Sequence, residues 1–432
     1  MLKVTIFAVA LLVFIHNYKR NKIISSASIW VACYIMIFVV YPVYQVERFK
    51  YESVIDLYAL GGIIVFFIGV LFGEKYGLKT DANDQQIRYQ GVPDFKMAHL
   101  LFWMFFCASM IIVLSAIGPS GVLSLIQGKS TTKSFINNSA VGGLYLLSVR
   151  LHVPCVLSMW MTAETKKENR ISIIVLGIYI FESIVFSYTR IFLIAIVTIA
   201  FLFKIRNIPQ KKQVSLIMVG VCGMIVAMMA LNFVRVRGVH SIGDFREHVS
   251  IDYMFESTDF GASYKFFDKL LDYPSPYINP IVYLKPLLAF IPRSIWSSKP
   301  EQISLQVLRY TSPELAASGY SSAGNSVLGE GYAIMGIVGL FLFPFIWGVL
   351  CGKLDDRYYE RLHSGNDKCV RNICYYIFAV FIVISGQRGD WCQYMETCLY
   401  LYMFPVYFMS KVSMYKKQSL QQTNKICGNN NE

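Results

Sequence analysis

Charge is what this chain has least of. Asp, Glu, Lys and Arg make up only 16% of its 432 residues, against about 25% in soluble domains. A soluble fold of this length needs far more charge to cover its surface. Soluble enzymes, nucleic-acid binders and secreted disulfide scaffolds are therefore excluded. Familiar chemical motifs are missing as well. The sequence has no CxxC pair and no Cys/His spacing suited to a metal. It also has no GxxxxGK phosphate loop, no GxGxxG turn after a strand, no HExxH and no GxSxG elbow. Nucleotide-driven transport and dinucleotide chemistry drop out with them, and no cofactor or metal is expected. Ten cysteines are present, but only Cys369 and Cys427 lie in polar stretches. The others behave as small apolar residues.

Hydrophobicity takes the place of charge. Apolar residues reach 55% and aromatic ones 15%, and the mean hydropathy is +0.48. The predicted fold class is an all-α, polytopic integral membrane protein. A hydrocarbon core about 30 Å thick takes roughly 20 apolar residues per helix, fewer where the bilayer thins. Eleven segments qualify: 2–16, 23–44, 56–73, 97–117, 143–163, 171–186, 191–205, 214–234, 331–352, 372–386 and 392–410. The chain then divides into helices 1–8 over 1–234, a long extracytoplasmic loop over 235–330, helices 9–11 over 331–410, and a cytoplasmic tail over 411–432.

Basic residues set the orientation. The loops after spans 1, 3, 5, 7 and 9, with the tail, hold 23 Lys and Arg, and the short loops opposite hold 6. Lys and Arg are retained on the cytoplasmic side, so the tail is cytoplasmic and the long loop lies outside. The same retention explains the net charge of +13 without a nucleic-acid partner. Within the long loop, apolar residues recur at helical spacing from Ile251 to Leu271 and from Ser304 to Tyr310, between prolines that break it into short pieces. Short amphipathic helices on the membrane face are expected, with no sheet.

Ionisable residues inside spans are costly and mark functional sites. Here they gather at one depth. Arg150 and His152 fall in the outer half of span 5, Glu182 lies about one turn from the outer end of span 6, and Glu396 is about one turn into span 11. The hairpins Tyr188-Thr189-Arg190 and Gln387-Arg388-Gly389-Asp390-Trp391 join short spans, which draw such turns below the membrane surface. The inner leaflet has no matching set. Snorkelling and Arg–Glu helix pairing explain any one of these residues. The whole layer beside a long outer loop suits a phosphorylated, lipid-linked substrate, because guanidinium grips phosphate bidentately and stays charged.

The loop continues this chemistry. Arg235 and Arg237 stand at the exit of span 8, and His240 and His248 are loop histidines able to serve as bases. Pro292-Arg293-Ser294-Ile295-Trp296-Ser297-Ser298-Lys299-Pro300 sets two cations beside an aromatic face. This run suits a phosphate clamp next to a sugar-stacking platform, and equally an interfacial Trp with snorkelling cations. Gly329-Glu330-Gly331-Tyr332 opens span 9, as a close ligand approach or as an acidic helix start.

On these residues the sequence resembles the Wzy-type oligosaccharide repeat-unit polymerases, or O-antigen polymerases. The resemblance rests on the Pro-Arg-x-x-Trp-x-x-Lys-Pro run at 292–300, Gly-Glu-Gly-Tyr at 329–332, Arg190 after a short outward span, the Arg388-Gly389-Asp390 turn, and one long outer loop in the second half. The R-x10-G spacing of some members is not found at the outer arginines. The resemblance implies a glycosyltransferase of polysaccharide biosynthesis in the bacterial inner membrane, with the long loop in the periplasm. It would move a growing glycan from undecaprenyl pyrophosphate onto a newly flipped lipid-linked repeat unit, as in lipopolysaccharide O-antigen or capsule-like polymers. A flippase and a chain-length regulator are the protein partners it implies. Arg190, Arg293 and Arg388 are then expected to neutralise the departing pyrophosphate, backed by Arg150, Arg235 and Arg237. Glu330 and Asp390 lead as bases, His240 and His248 stand in reserve, and Trp296 with Lys299 would hold sugar and phosphate. Three rivals remain: a lipid-carrier glycan ligase, a flippase for the same lipid-linked unit, and a scaffolding membrane protein.

Overall fold

The computed structural model describes residues 1–45, 53–77, 91–126, 142–185, 190–235, 259–273, 278–287, 291, 295–317, 324–364, 368–389 and 391–414. Helix and turn account for their regular structure, with no strand among the described residues. In chain order the helices are α1 (Leu2–Lys19), α2 (Ser26–Tyr44), α3 (Val54–Gly77), α4 (Phe95–Ile126) and α5 (Gly142–Thr162). Next come α6 (Lys166–Val185), α7 (Arg190–Ile205) and α8 (Gln210–Arg235). The long loop contributes α9 (Asp259–Leu270), a 3-10 turn at Pro280–Leu284, α10 (Ile303–Thr311) and α11 (Pro313–Ala317). The chain continues through α12 (Ser326–Met335), α13 (Ile337–His363), α14 (Val370–Arg388) and α15 (391–414). A helix lies at each of the eleven predicted segments. Seven of the described helices are long and apolar enough to cross a membrane, so the chain is a helical membrane protein.

The core is a parallel pair. Gly69 and Gly73 on α3 face Gly348 and Gly352 on α13, and a Cβ on any of the four would collide with the opposing backbone. Two small-xxx-small stripes thus let two membrane helices touch along their main chains. α1 also runs parallel to α3, with Lys3 bonded to Asp56 at 2.8 Å near one end and His16 to Glu74 at 2.9 Å near the other. Trp30 of α2 stacks on Phe66 of α3 with ring centroids 3.7 Å apart.

Helix ends follow local chemistry. Thr165 caps α6 by accepting from the Glu168 N–H, and Glu168 accepts from the Glu164 and Thr165 N–H groups at 2.9 and 3.0 Å. This reciprocal box satisfies donors that a helix start leaves bare. Gly336, at φ 63°, separates α12 from α13, and Gly389, at φ 76°, separates α14 from α15. Both conformations favour glycine because a Cβ would clash. Gly329-Glu330-Gly331-Tyr332 consequently does not open the span, as the sequence suggested. It sits inside α12, and the span begins at Ile337. Among the described residues, three helices carry a wide π stretch: Met36–Val40 in α2, Phe378–Ile382 in α14 and Thr397–Met403 in α15.

The two ends of the bundle differ in chemistry. At the end where α1 and α3 stop, Asp355 of α13 accepts from the Ser26 N–H at 2.8 Å, Ser26 Oγ at 2.7 Å, the Ala27 N–H at 3.1 Å and Tyr375 OH at 2.6 Å. Its carboxylate caps the start of α2, where exposed N–H groups and the helix dipole favour negative charge. Next to it, Arg20 pairs with Glu74, and Lys22 pairs with Asp356. Burial pulls the Lys22 ammonium below its ordinary pKa, while Glu74 pulls it back up. The expectation that one leaflet alone carries charge is thereby corrected. The helices run past the apolar windows, to Gly77 and His363, and so bring Glu74, Asp355 and Asp356 into the packed interior.

Candidate functional site

The opposite end holds the site. α13 and α14 are antiparallel neighbours joined through 364–369, but α13 has 27 residues and α14 has 19. Eight residues at 1.5 Å each leave the α14 end about 12 Å short of the α13 start. Packing agrees: a Cβ on Gly386 would strike the indole of Trp347, ten residues into α13. The α14–α15 turn therefore lies well below the start of α13.

Arg388 closes α14 at this level. It is half-buried, and its Nη1 donates to Tyr394 OH on α15 at 2.9 Å. The chain turns at Gly389 against the Ser326 carbonyl and the Asn325 amide, where a side chain would not fit. Gly324 packs near the Arg388 stem in the same way and faces Ser263 of α9. Arg388 is thus ringed by the start of α12, the start of α15 and a helix of the long loop.

Two amides here stand out. Asn325 and Gln387 are fully buried, and none of their side-chain amide atoms has a hydrogen-bond partner among the described residues. Buried polar groups are nearly always paired, and an orphan costs about 1–3 kcal/mol. Asn325 sits at the α12 N-cap position without making the side-chain cap bond, so even its local partner is forgone. Such atoms suit a polar ligand.

Glu330 is fully buried on α12 and accepts from Tyr283 OH at 2.8 Å. The Tyr283 ring stacks on Trp391 at 5.3 Å, and Trp391 meets Trp347 edge-on at 6.4 Å. A carboxyl held as an acceptor thus lies one side chain from the first residue of α15, just past the Arg388 turn.

The other predicted residues divide into three groups. Arg150 is half-buried on α5, which packs against the Thr397–Met403 stretch of α15. α15 thus neighbours both the Arg150 helix and, through Tyr394, Arg388. Two residues on from Arg150, His152 Nδ1 lies 2.8 Å from Glu182 Oε2, and Ser109 Oγ donates to the other Glu182 oxygen at 2.8 Å. The His–Glu approach has the distance of an ion pair but not the alignment of a hydrogen bond, so its two atoms are close without being properly bonded. Trp296 and Lys299 belong to a separate feature. In the turn they form, Lys299 N–H donates to the Trp296 carbonyl at 3.1 Å, and Ser297, Ser298 and Lys299, but not Trp296, wall a cavity of about 640 Å³ that Asn279, Ile281, Arg309 and Tyr310 also line. Lys299 Nζ donates to the Ile291 carbonyl at 3.1 Å, and Trp296 Nε1 to Ser298 Oγ at 3.0 Å.

Arg190 opens α7 and Arg235 closes α8. Arg237, Arg293, Asp390, His240 and His248 lie outside the described residues. Sequence reasoning missed Asn325, Gln387, Tyr283 and Tyr394. Gln387 stood beside a chosen arginine, but nothing in the order of residues shows that an amide will be buried without a partner. No protein-family model, curated protein or solved structure matches this chain.

Proposed function

We propose that this chain is a membrane glycosyltransferase that polymerises oligosaccharide repeat units carried on a polyprenyl pyrophosphate at the outer face of the bacterial inner membrane. The observation that carries this reading is Arg388: a half-buried guanidinium below the top of the bundle, beside two buried amides with open hydrogen-bonding atoms. A diphosphate leaving group needs fixed positive charge where its own negative charge develops, and a recessed arginine supplies it. In the reaction, the bond between the donor sugar and the pyrophosphate oxygen breaks. A bond from the same carbon to an acceptor hydroxyl oxygen forms. The hydroxyl proton passes to a carboxylate, and Glu330, held as an acceptor by Tyr283, is the described group suited to receive it. Asn325 and Gln387 would bind sugar hydroxyls or phosphate oxygens. Arg150, half-buried on α5, would add a second positive charge. The Trp296–Lys299 turn and its cavity would accept sugars further along the glycan.

Replacing Arg388 with Ala tests the reading. The surface glycan of cells carrying the variant should collapse from a ladder to a single-repeat band, while the protein reaches the membrane in normal amount. Arg388→Lys should restore part of the ladder, since a point charge lacks the bidentate fork. Loss of all surface sugar assigns the chain to ligation or flipping instead. A full ladder from Arg388→Ala removes the proposal.

A further inference from the structure

The segment 278–287 is not helical in the ordinary sense, yet it lies alongside membrane helices. Three observations locate it. Tyr283 contacts Phe343 at 5.7 Å, and Phe343 is six residues, or about 9 Å, into α13. Tyr283 also stacks on Trp391, the first residue of α15. Four residues later the Leu287 carbonyl accepts from Tyr400 OH at 3.0 Å. Tyr400 is nine residues beyond Trp391, about 13 Å by helical rise, less what its side chain reaches back toward the helix start. The segment thus descends along α15 from the level of the Arg388 turn.

Its outward side is apolar. Leu284 and Leu287 are 47% and 57% exposed, while Ile281 faces the cavity beside Lys299. The two leucines continue the exposed apolar faces of the adjoining helices, formed by Ile337 and Val338 on α13 and by Tyr400, Phe404 and Tyr407 on α15. Non-helical backbone survives in hydrocarbon only when its polar groups are satisfied within the protein. Much of this segment is built that way. Ile278 N–H donates to the Ala333 carbonyl, Ile281 N–H to Asn279 Oδ1, Val282 N–H to the Asn279 carbonyl and Lys285 N–H to the Val282 carbonyl. Pro280 and Pro286 have no N–H to satisfy. Its lone cation, Lys285, is half-buried, which suits a stem lying along apolar surface with its charge lifted toward water.

We infer that residues 278–287 form a membrane-dipping element whose Leu284 and Leu287 side chains lie against the hydrocarbon of bilayer lipids, walling the Arg388 site off from the lipid phase. This holds whatever reaction the site performs. Nitroxide labels placed at Leu284→Cys and Leu287→Cys in the full chain, with native cysteines replaced and the protein reconstituted in phosphatidylcholine vesicles, test it. Collisions with oxygen should exceed those with a water-soluble nickel chelate at both positions, and the order should reverse at Glu314→Cys on α11. A second measurement keeps the native cysteines. In vesicles opened enough to admit reagent to both faces, a charged maleimide should label Glu314→Cys above the parent chain and leave Leu287→Cys at the parent level until detergent is added. Nickel-dominated collisions at Leu287, or labelling of Leu287→Cys at the Glu314→Cys rate, would place the segment in water and overturn the inference.

Discussion

The two ends of the bundle treat buried polarity in opposite ways. Around Asp355, one carboxylate answers four donors from two neighbouring helices, and Glu74 and Asp356 are paired with Arg20 and Lys22, with Asp356 Oδ2 the one open atom of these three carboxylates. Around Arg388, Asn325 and Gln387 are buried with open atoms. A satisfied network stiffens the helices it joins, whereas orphaned groups at a comparable depth destabilise the fold unless something binds them. One end is therefore organised to hold the helices, the other to receive a ligand.

The sharpest way to break this comparison is Asp355→Ala. It strips the acceptor from Ser26, Ala27 and Tyr375, and should cost at least about 3 kcal/mol, read as a lower unfolding midpoint in detergent and a smaller folded yield. A midpoint equal to the parent's would show that this end locks nothing. Gln387→Leu probes the opposite end. Removing an unpaired buried amide should leave the midpoint unchanged or raise it, while glycan extension falls about ten- to hundredfold, the equivalent of one good polar contact. Lost stability together with lost activity would mean the amide was structural after all.

The smallest effect belongs to the Thr165–Glu168 box, which lies outside both regions and serves as their control. Thr165→Ala should cost about 1 kcal/mol with no change in extension. Backbone N–H donation from Thr165, then from Glu164, holds the Glu168 carboxyl below its usual pKa. Its contribution is present above the ordinary carboxylate range and disappears as pH falls through the lowered value. Solvent screening keeps it small. Melting curves of the parent and Glu168→Gln should therefore converge in acid; curves that stay apart would argue against the cap.

Legibility from sequence followed the same division. The apolar runs showed where helices would form, because burial in lipid demands them. The Asp355 end stayed hidden because hydropathy windows close at the first charges, so Glu74, Asp355 and Asp356 read as loop residues although their helices continue past them. The glycine stripes on α3 and α13 were visible as letters, but their pairing depends on two segments nearly three hundred residues apart finding the same register. Glu330 was placed at the mouth of a span because the apolar segment was bounded at 331, whereas the positive φ falls at Gly336. Periodicity does not identify which of several glycines will leave the right-handed region.

The π stretch at Phe378–Ile382 has a bearing on where Arg388 points. A π turn winds one additional residue into the coil, so every position beyond it is swung round by about 100° and carried about 1.5 Å along the axis relative to an uninterrupted α-helix. Excising a single residue there would restore an ordinary α-helix and leave Gln387 and Arg388 facing as they do, whereas winding the same residues as uninterrupted α-helix would turn both onto a different side of the same rod. Aim, at this position, is set by a miscount two turns away.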